Sequence, residues 1–214
     1  MDLQQLSLAV QDGDDKKVME LVSQALEAKV SPESILNEGM IAAMEDLGTK
    51  FKNNEIYVSE MLMSARAMAA GMQILEPVLV EQGVKPIGKC VIGTVKGDLH
   101  DIGKNLVKMM LKGVGIEVLD LGADVPSPEF LKKAEEIGAD LVCLSALLTT
   151  TMPAMGDVIR EFEKAGVKDK YTFMIGGAPI SNSFAKQIKA DYYTPDAGTA
   201  AEVAKNVLVK KATN

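Results

Sequence analysis

The sequence predicts an α/β protein in which an N-terminal four-helix bundle precedes a doubly wound parallel sheet of five strands. Three observations predict this fold class. Residues 1–84 carry their apolar side chains at helical spacing, whereas residues 89–214 alternate short apolar runs with amphipathic helical segments. Between the two parts lies a short segment, residues 84–88, whose proline and glycine are typical of a linker. The chain is therefore expected to have two domains.

Four helices are predicted in the first part, over residues 2–11, 14–30, 31–51 and 58–83. In the first of them, Leu3, Leu6 and Val10 recur at helical spacing. The third helix is expected to begin with Ser31 as N-cap and Pro32 at the first helical position. Because the loops between the four helices are short, the helices are expected to pack as a small antiparallel bundle.

The second part alternates predicted strands with predicted helices. Strands are expected over residues 89–95, 116–121, 139–147, 171–176 and 191–194. Helices are expected over residues 103–115, 127–138, 152–166, 181–190 and 200–211. Nearly continuous apolar strands that alternate with helices indicate a parallel sheet covered on both faces. Five such units fit a flavodoxin-like domain with strand order 2-1-3-4-5, in which a ligand crevice opens at the carboxyl ends of the first and third strands.

Composition and charge exclude several classes of protein. The formal net charge is −7 and no basic cluster is present, which argues against nucleic acid as a partner. No apolar run approaches the ~18 residues that read as a membrane span. The N-terminal residues lack a secretory signal, so a cytoplasmic protein without membrane contact is expected. Cys90 and Cys143 lie in separate apolar strands outside any CxxC motif, so we expect reduced core residues and no zinc site.

Polar and glycine-rich segments follow three of the predicted strands where each strand ends. The first strand is followed by GDLHDIG (97–103), the third ends in SALLTTT (145–151), and the fourth ends in GGAP (176–179). Because the carboxyl ends of parallel strands share one edge of the sheet, these segments are expected to form one site. The loop after the first strand has neither GxGxxG nor a GxxxxGK[ST] phosphate loop, so a dinucleotide or ATP site has no support.

Three motifs follow one another in an order and spacing that resemble the cobalamin-binding signature: Asp98-x-His100-x-x-Gly103, Ser145-x-Leu147 and Gly176-Gly177. The methionine-rich helices before them look like the cap of the methionine synthase cobalamin module. Over essentially its whole length, the chain resembles the small corrinoid proteins of methyltransferase systems. Those systems act on methylamines, methanol, betaines or methoxylated aromatics, the last being the substrates of O-demethylases.

The resemblance implies a role for each of three residues near the cobalt. Nε2 of His100 would be the lower axial ligand, displacing the cofactor's own base in the base-off/His-on form. Asp98 would accept a hydrogen bond from Nδ1 of His100, which fixes the tautomer and makes the ligand more basic. Thr151 stands where related modules have a serine that completes a proton relay. His100, Asp98 and Thr151 are therefore the candidate catalytic residues.

The resemblance also implies contacts with the rest of the cofactor. Gly103 would let the backbone approach the corrin closely. Ser145 would hydrogen-bond the displaced base beside Leu147, and Gly176 and Gly177 would leave room for the nucleotide tail. Further candidates for cofactor contact are Asp101 (which is also expected to begin a helix as a first-turn acid), Ile102, Thr149, Tyr193, Asp196 and Ala197, and in the cap Val58 and Met61, with Tyr57 beside them.

The function implied by the resemblance is that of a methyl carrier, which is not a complete catalyst alone. Cob(I)alamin would accept a methyl group from a substrate:corrinoid methyltransferase, and methyl-cob(III)alamin would deliver it to tetrahydrofolate or a thiol on a second methyltransferase. A reductive activase is a further expected partner, and residues 84–88 are the expected hinge of the cap. The alternatives are a cobalamin-dependent sensor, the small subunit of an adenosylcobalamin mutase, and a response domain without cobalamin. The chain has no spare basic segment for the DNA-binding domain that a sensor usually carries.

Overall fold

Helices form the first of two units in the structure, a computed structural model that describes residues 2–212 apart from the side chain of residue 212. The first unit comprises the described residues up to Pro86 together with Gly113–Gly115, and the second unit comprises the rest. The helical elements of the first unit are α1 (Leu3–Gln11), α2 (Asp15–Glu27), α3 (Pro32–Ser34), a π-helical segment (Ile35–Ile41), α4 (Ala42–Lys52) and α5 (Val58–Glu81). The predicted helical first part is confirmed.

Side chains satisfy free amides where several of these helices begin. Asp2 and Asp14 each accept a hydrogen bond of 2.9 Å from an amide of the first turn of α1 and α2, as N-cap residues do. Before α5, the amide of Tyr57 donates to the carboxylate of Glu60 at 2.8 Å. The apolar faces of the helices are buried, and their buried side chains include Leu6, Val22, Met40, Met44, Met61 and Leu75.

The predicted helix over residues 31–51 contains the π-helical segment Ile35–Ile41. Gly39 lies within this segment, and a Cβ added there would lie 2.6 Å from a methyl of Leu6. A glycine therefore permits the close approach of α1. Apolar periodicity reveals a buried helix face but does not distinguish i→i+4 from i→i+5 bonding, so the sequence does not predict the π-helical segment.

The second unit is a five-stranded sheet with the order β2-β1-β3-β4-β5, in which every neighbouring pair is parallel. The strands are β1 (Lys89–Thr94), β2 (Glu117–Asp120), β3 (Leu141–Ser145), β4 (Thr172–Gly176) and β5 (Tyr192–Tyr193). The helices are α6 (Ile102–Gly113), α7 (Ser127–Ile137), α8 (Met152–Lys164), α9 (Asn182–Gln187) and α10 (Ala197–Ala212), with a 3₁₀ turn at Lys168–Lys170. The predicted strand order is confirmed. In the described part of the chain, no helix combines the length and the hydropathy needed to cross a membrane.

Both faces of the sheet are buried, which explains why its strands are almost continuously apolar. On one face, Val91 and Phe173 join a core with Phe130 of α7 and Phe162 of α8. On the other face the alternate residues of the strands are also buried, namely Cys90, Ile92, Leu141, Cys143 and Met174. Helices therefore cover the sheet on two sides, as the doubly wound prediction requires.

All five strands are shorter than the sequence predicts, among them β3 and β5. β3 ends at Ser145 instead of residue 147, and β5 comprises two residues instead of the predicted 191–194. The apolar run continues through Ala146 and Leu147, but the amide of Leu147 turns toward Asp98 instead of extending the ladder. Hydropathy marks the buried run and not the point at which the backbone leaves the sheet.

The strand register brings three loops to one edge of the sheet. Thr94, the last residue of β1, pairs with Ser145 at the end of β3, and Ser145 pairs with Gly176 at the end of β4. The chain segments that follow these three residues therefore leave the sheet side by side.

Candidate functional site

The turn that follows β1 places Asp98 at the carboxyl edge of the sheet. Val95 to Asp98 form a four-residue turn, closed by a hydrogen bond of 3.1 Å from the Asp98 amide to the Val95 carbonyl. Gly97, the third residue of the turn, has a φ of +86°, a conformation that type II turns require and that glycine adopts without strain. The hydroxyl of Thr94 donates to the carbonyl of His100 at 2.9 Å, so the end of β1 also holds the segment that carries the histidine.

The Asp98 carboxylate is fully buried and is surrounded by five donors from two loops. Oδ1 accepts from the amide of His100 at 3.1 Å and lies 2.7 Å from Nδ1 of the same residue. Oδ2 accepts from the amides of Leu147 and Leu148 at 2.7 and 3.2 Å. The hydroxyl of Thr151 donates to Oδ2 at 2.7 Å. A buried charge is tolerated only when such donors replace water.

These donors keep Asp98 ionised. Burial alone would raise the pKa of Asp98, but the hydrogen bonds from the Thr151 hydroxyl, the Leu147 amide and His100 outweigh burial and hold the pKa well below its ordinary value. The carboxylate is therefore negative across the physiological pH range, and it is available as an acceptor for a ring N–H.

His100 presents one ring nitrogen to Asp98 and has the other available. With Nδ1 donating to the ionised carboxylate, the neutral ring carries its proton on Nδ1 and a lone pair on Nε2. The side chain is 51% exposed, so a ligand can reach it from solvent. The site thus offers a nitrogen donor whose tautomer and orientation are fixed by a buried acid.

Thr151 has two acceptors and one proton to give. Its Oγ1 lies 2.7 Å from Oδ2 of Asp98 and 2.9 Å from the carbonyl of Leu148. While Asp98 is ionised, the hydroxyl donates to the carboxylate. If Asp98 gains a proton, the hydroxyl can turn to the Leu148 carbonyl and accept from the acid instead. Thr151 can therefore serve both protonation states of Asp98.

Exposed apolar side chains surround His100. Leu99 is 76% exposed and Ile102 is 82% exposed, and on the other loop Leu147 and Leu148 are exposed as well. Gly103 adds open space, since a Cβ placed there would meet no atom within 4 Å. Clustered exposed apolar groups around a polar centre mark a ligand-binding surface.

The glycine pair at the end of β4 is required by the protein's own packing. Gly177 has a φ of +137°, and a Cβ there would lie 1.9 Å from the carbonyl oxygen of Ala146. At Gly176, a Cβ would lie 3.2 Å from the carbonyl oxygen of Thr194. Ser145 is half-buried at the end of β3. The predicted contacts of these residues with the cofactor's tail and base stay predictions.

The remaining α/β candidates lie outside the Asp98 network. Asp101 directly precedes α6 and its carboxylate accepts from the side chain of Asn105 at 3.0 Å. Asp196 caps α10, accepting from the amide and the hydroxyl of Thr199 at 2.7 Å each. The exposure of the others differs, with Thr149 exposed, Tyr193 half-buried and Ala197 buried. Their cofactor contacts stay predictions.

The two candidates in the first unit differ in exposure. Val58 is 42% exposed at the start of α5, next to Tyr57, which is 78% exposed. Met61 is fully buried, so it serves the packing of the helices in this structure. Leu62 and Met63, which the sequence reasoning did not single out, are exposed on the same helix. The predicted contacts of Val58 and Met61 with a cofactor stay predictions.

Comparison with known proteins identifies the family. One model described as a B12 binding domain matches residues 88–204, and a second model of that description matches residues 2–76. A corrinoid protein of Desulfitobacterium hafniense is 38% identical over 211 residues, which are 97% of this chain and 98% of the relative. Dimethylamine corrinoid protein 2 of Methanosarcina acetivorans is 40% identical over 210 residues, 98% of this chain and 97% of the relative.

The chain belongs to the corrinoid protein family. Among solved structures, the methanol:cobalamin methyltransferase complex of Methanosarcina barkeri includes a chain that is 28% identical, with a TM-score of 0.85. That match covers 97% of this chain and 79% of the other. The matches are thus to corrinoid proteins and to a chain of a methyltransferase complex, and none of them favours the sensor alternative.

The site of this corrinoid protein fits its family's cofactor. A corrin ring holds its cobalt through its own nitrogens, so a protein that binds it needs a surface for the ring and could add a single further donor. Across residues 2–212, no three His, Cys, Asp or Glu side chains lie close enough to share a metal ion, so His100 would act as a single donor. The exposed Leu99 and Ile102, with the open space at Gly103, supply the surface.

Sequence reasoning missed two residues that touch the Asp98 turn. Leu148 contacts the Asp98 carboxylate through its amide, and no feature of a leucine side chain signals that role. Asp124, in the loop after β2, accepts from the Gly97 amide at 2.8 Å and donates its own amide to the Asp98 carbonyl at 2.9 Å. The Gly97 amide and the ammonium of Lys96 lower the pKa of Asp124 from its usual value. The sequence signal that could have identified Asp124 is its position as an acidic residue soon after β2, the strand that pairs with β1.

A buried ion cluster ties α6 to β2 and was also missed. Lys104 is 2% exposed, and its Nζ lies 2.6 Å from Oδ1 of Asp120. Nζ of Lys108 lies 2.7 Å from Oδ2 of the same carboxylate, and the amide of Gly122 donates to Oδ1 at 2.9 Å. Burial raises the pKa of Asp120, but the two lysines and this amide together lower it to about 2. The cluster fixes the helix that begins two residues after His100.

Proposed function

We propose that this corrinoid protein carries methyl groups between two enzymes. It receives the methyl group from a substrate:corrinoid methyltransferase and delivers it to tetrahydrofolate or a thiol bound by a second methyltransferase. Full-length similarity to dimethylamine corrinoid proteins and to a chain of the methanol:cobalamin methyltransferase complex supports this role. The observation that carries the proposal is the Asp98–His100 pair, with Nδ1 held at 2.7 Å from a buried carboxylate and Nε2 available to a metal.

The residues at the sheet edge divide the work of holding the corrinoid. Nε2 of His100 would hold the cobalt in place of the cofactor's own base, the base-off/His-on form. Ser145 and Leu147 receive the displaced base, and Gly176 and Gly177 border the nucleotide tail. Exposed Leu99 and Ile102 cover apolar parts of the ring and exclude water from it.

When bound, the cobalt would supply the nucleophile and the carrier of the methyl group, and its coordination number would change with oxidation state. The chain's own residues must then let the histidine bind and release. When His100 dissociates, the His100–Asp98 pair would take up the compensating proton, and the Thr151 hydroxyl would support Asp98 by its hydrogen bond to Oδ2. This proton balance is the physical reason for a buried acid behind a histidine ligand.

The proposal extends to features around the site. Residues 1–84 act as the cap, with residues 84–88 as its hinge, and exposed Val58 and Tyr57 are its most suitable contacts with the cofactor. A reductive activase restores the reactive state, and the protein works in the cytoplasm. The methyl donor is selected by the partner methyltransferase, since nothing in the Asp98 network distinguishes an amine from an alcohol.

The carrier role is tested with the full chain reconstituted with hydroxocobalamin, then reduced and methylated with methyl iodide. The methylated protein is mixed separately with a corrinoid:folate and a corrinoid:thiol methyltransferase and their acceptors. We expect methyl transfer to one acceptor at a rate that depends on the carrier concentration. A protein that binds the corrinoid but transfers its methyl group to neither acceptor would contradict the proposal.

The ligand role of His100 is tested by His100→Ala. The variant should still bind cobalamin through the many contacts of its tail, but the visible spectrum of the Co(III) form should differ from that of the unsubstituted protein. Added imidazole should restore part of the original spectrum by entering the vacated axial position. An unchanged Co(III) spectrum would remove His100 as the ligand, whereas a variant of Asn105, a neighbour on α6, should leave the spectrum as it is.

A further inference from the structure

Backbone pairing between β1 and the chain after β2 continues beyond the end of β2. The amide of Thr94 donates to the carbonyl of Gly122 at 2.9 Å, and the amide of Val125 donates to the carbonyl of Thr94 at 3.0 Å. Val95 and Val125 then form a parallel bridge. Asp124 therefore lies beside the turn that carries Asp98.

Asp124 holds the Gly97–Asp98 segment at both of its ends. Its Oδ1 accepts from the amide of Gly97 at 2.8 Å, and its own amide donates to the carbonyl of Asp98 at 2.9 Å. The side-chain carboxylate of Asp124 thus accepts the hydrogen bond from the Gly97 amide that a main-chain carbonyl would accept if the strand pairing continued. Nζ of Lys96 lies 2.9 and 3.0 Å from the two carboxylate oxygens.

The backbone at residue 124 does not by itself require aspartate. Its φ of +56° lies in the left-handed region, where glycine and asparagine are equally at home. The contacts of the carboxylate distinguish aspartate from glycine at this position. Substitution by glycine therefore removes the carboxylate without straining the backbone.

The same reciprocal pattern occurs at the opposite edge of the sheet. Asp140, just before β3, accepts from the Lys89 amide at 2.9 Å and donates its amide to the Lys89 carbonyl at 2.8 Å. Asp191, just before β5, makes the same pair of bonds with Phe173 at 2.7 and 3.0 Å. These two acids fix the amino ends of strands, whereas the partners of Asp124 adjoin His100.

We propose that Asp124 is a positioning residue for the Asp98–His100 pair. By gripping Gly97 and Asp98, it fixes the turn from which the Asp98 carboxylate points toward the His100 ring. The turn lies near solvent, so without Asp124 water can satisfy the Gly97 amide and the turn can rotate. The effect on the apoprotein stands independently, and only the effect on cobalt ligation rests on the proposed function.

The variants follow from these contacts. Asp124→Gly removes the carboxylate and keeps the backbone donor, while Asp124→Asn keeps an acceptor for the Gly97 amide. Lys96→Met removes the ion pair and leaves both clamp bonds. Asp140→Gly and Asp191→Gly are matched controls, since each removes the same kind of bond at the far edge of the sheet.

His100 is the single histidine of the chain, so its ring signals in ¹⁵N NMR need no assignment. In the apoprotein, at a pH above which the ring signals no longer change, the ¹⁵N shifts report the tautomer of the neutral ring. We expect Asp124→Gly to lower the share of the Nδ1–H tautomer and to speed amide exchange at Gly97 about tenfold, as expected for loss of one charge-assisted hydrogen bond. Asp124→Asn should restore most of both properties, and Lys96→Met should change them little.

A second measurement uses the cobalamin-loaded protein. The visible spectrum of the Co(III) form should show a smaller His-on fraction in Asp124→Gly and the original fraction in the two far-edge controls. Unchanged tautomer and exchange in Asp124→Gly would overturn the proposal. So would equal disturbance of His100 in the far-edge controls, because that would assign the effect to general stability. A spectrum that is insensitive to His100→Ala would instead refute the ligand role and leave the apoprotein result standing.

Discussion

The chemistry of the site depends on which atoms surround a single carboxylate. Asp98 is fully buried, and its two carboxylate oxygens bind different sets of donors. Oδ1 serves His100 through a ring nitrogen and an amide, whereas Oδ2 is held by two amides and a hydroxyl from the loop after β3. Because Oδ2 is held by its own donors, Oδ1 remains directed at the amide and the ring of His100. Removing the charge of Asp98, or replacing one of its oxygens by an N–H donor, should therefore change the tautomer of His100 before it changes other parts of the site.

Asp98→Asn should reverse the tautomer of His100. Three donors surround Oδ2, so the amide oxygen takes that position and the NH₂ group faces Nδ1 of His100. Nδ1 then becomes an acceptor and the proton moves to Nε2, where it blocks the metal. We expect ligation to cobalt to weaken about 10- to 100-fold, the range for losing such a partner. The measurements are ¹⁵N shifts of the apoprotein and cobalamin spectra.

Asp101→Asn is the control for that change. Asp101 is an exposed neighbour of His100 whose carboxylate contacts Asn105, so its substitution should leave the tautomer as it is. If Asp98→Asn kept the Nδ1–H tautomer, the hydrogen bond from His100 to the acid would not control the ring.

Much of this residue-scale picture is predictable from sequence, and the rest is not, for a definite reason. Asp98, His100 and Thr151 carry chemistry in their side chains, so the motif and its spacing single them out. Leu148 contributes a main-chain amide, which every residue type except proline possesses. Asp124 has the right chemistry, but only the neighbouring positions of β1 and β2 connect it to the turn.

At the scale of elements, glycines that look alike in sequence have different tasks. Gly177 directly follows β4 in a conformation that other residues adopt only with strain, and it lies against the backbone of Ala146. Gly103 lies in the first turn of α6 beside open space. The first glycine is therefore required by folding, and the second leaves room for a ligand.

Gly177→Ala should destabilise the apoprotein by about 2 kcal/mol or more, since it combines backbone strain with a backbone clash at 1.9 Å. Gly103→Ala is the matched change. It should leave the stability unchanged or raise it by ~0.5–1 kcal/mol, as expected when alanine replaces glycine in a helix, yet weaken cobalamin binding. Urea unfolding and cobalamin titration measure the two properties separately. Equal stability of Gly177→Ala and the parent protein would show that β4 and β3 can separate without cost.

At the scale of the whole molecule, ionised acids with lowered pKa values link stability to pH. The pKa of Asp120 is about 2 in the folded protein, against ~3.9 for an unperturbed aspartate in an unfolded chain. The folded state therefore binds this proton less readily. Its contribution to stability is fully present above the unfolded pKa and is lost as the pH falls toward 2. Asp98 acts in the same direction.

Asp120→Asn should accordingly lower the free energy of unfolding at pH 7 and flatten its fall between about pH 4 and pH 2. Lys104 remains buried in the variant and loses its anionic partner, which adds to the loss at neutral pH. Urea midpoints measured from pH 7 to pH 2 check both effects. Asp169→Asn, a change on the exposed 3₁₀ turn, should keep the steep pH dependence of the parent protein. If Asp120→Asn kept it too, Asp120 would not be the linked group.

The sequence by itself determined the alternation of elements, the strand order and the histidine at the centre of the site. Period and spacing are local properties, and the cobalamin signature is built from side chains with distinctive chemistry. The tertiary structure decided how the acid behind that histidine is held. A parallel sheet brings loops some fifty residues apart to one edge, where the amides of Leu147 and Leu148 and the carboxylate of Asp124 fix the Asp98 turn. Nearly every residue type has a main-chain amide, so the sequence does not show which amides bind the acid. The partner of a carboxylate depends on which strands are neighbours.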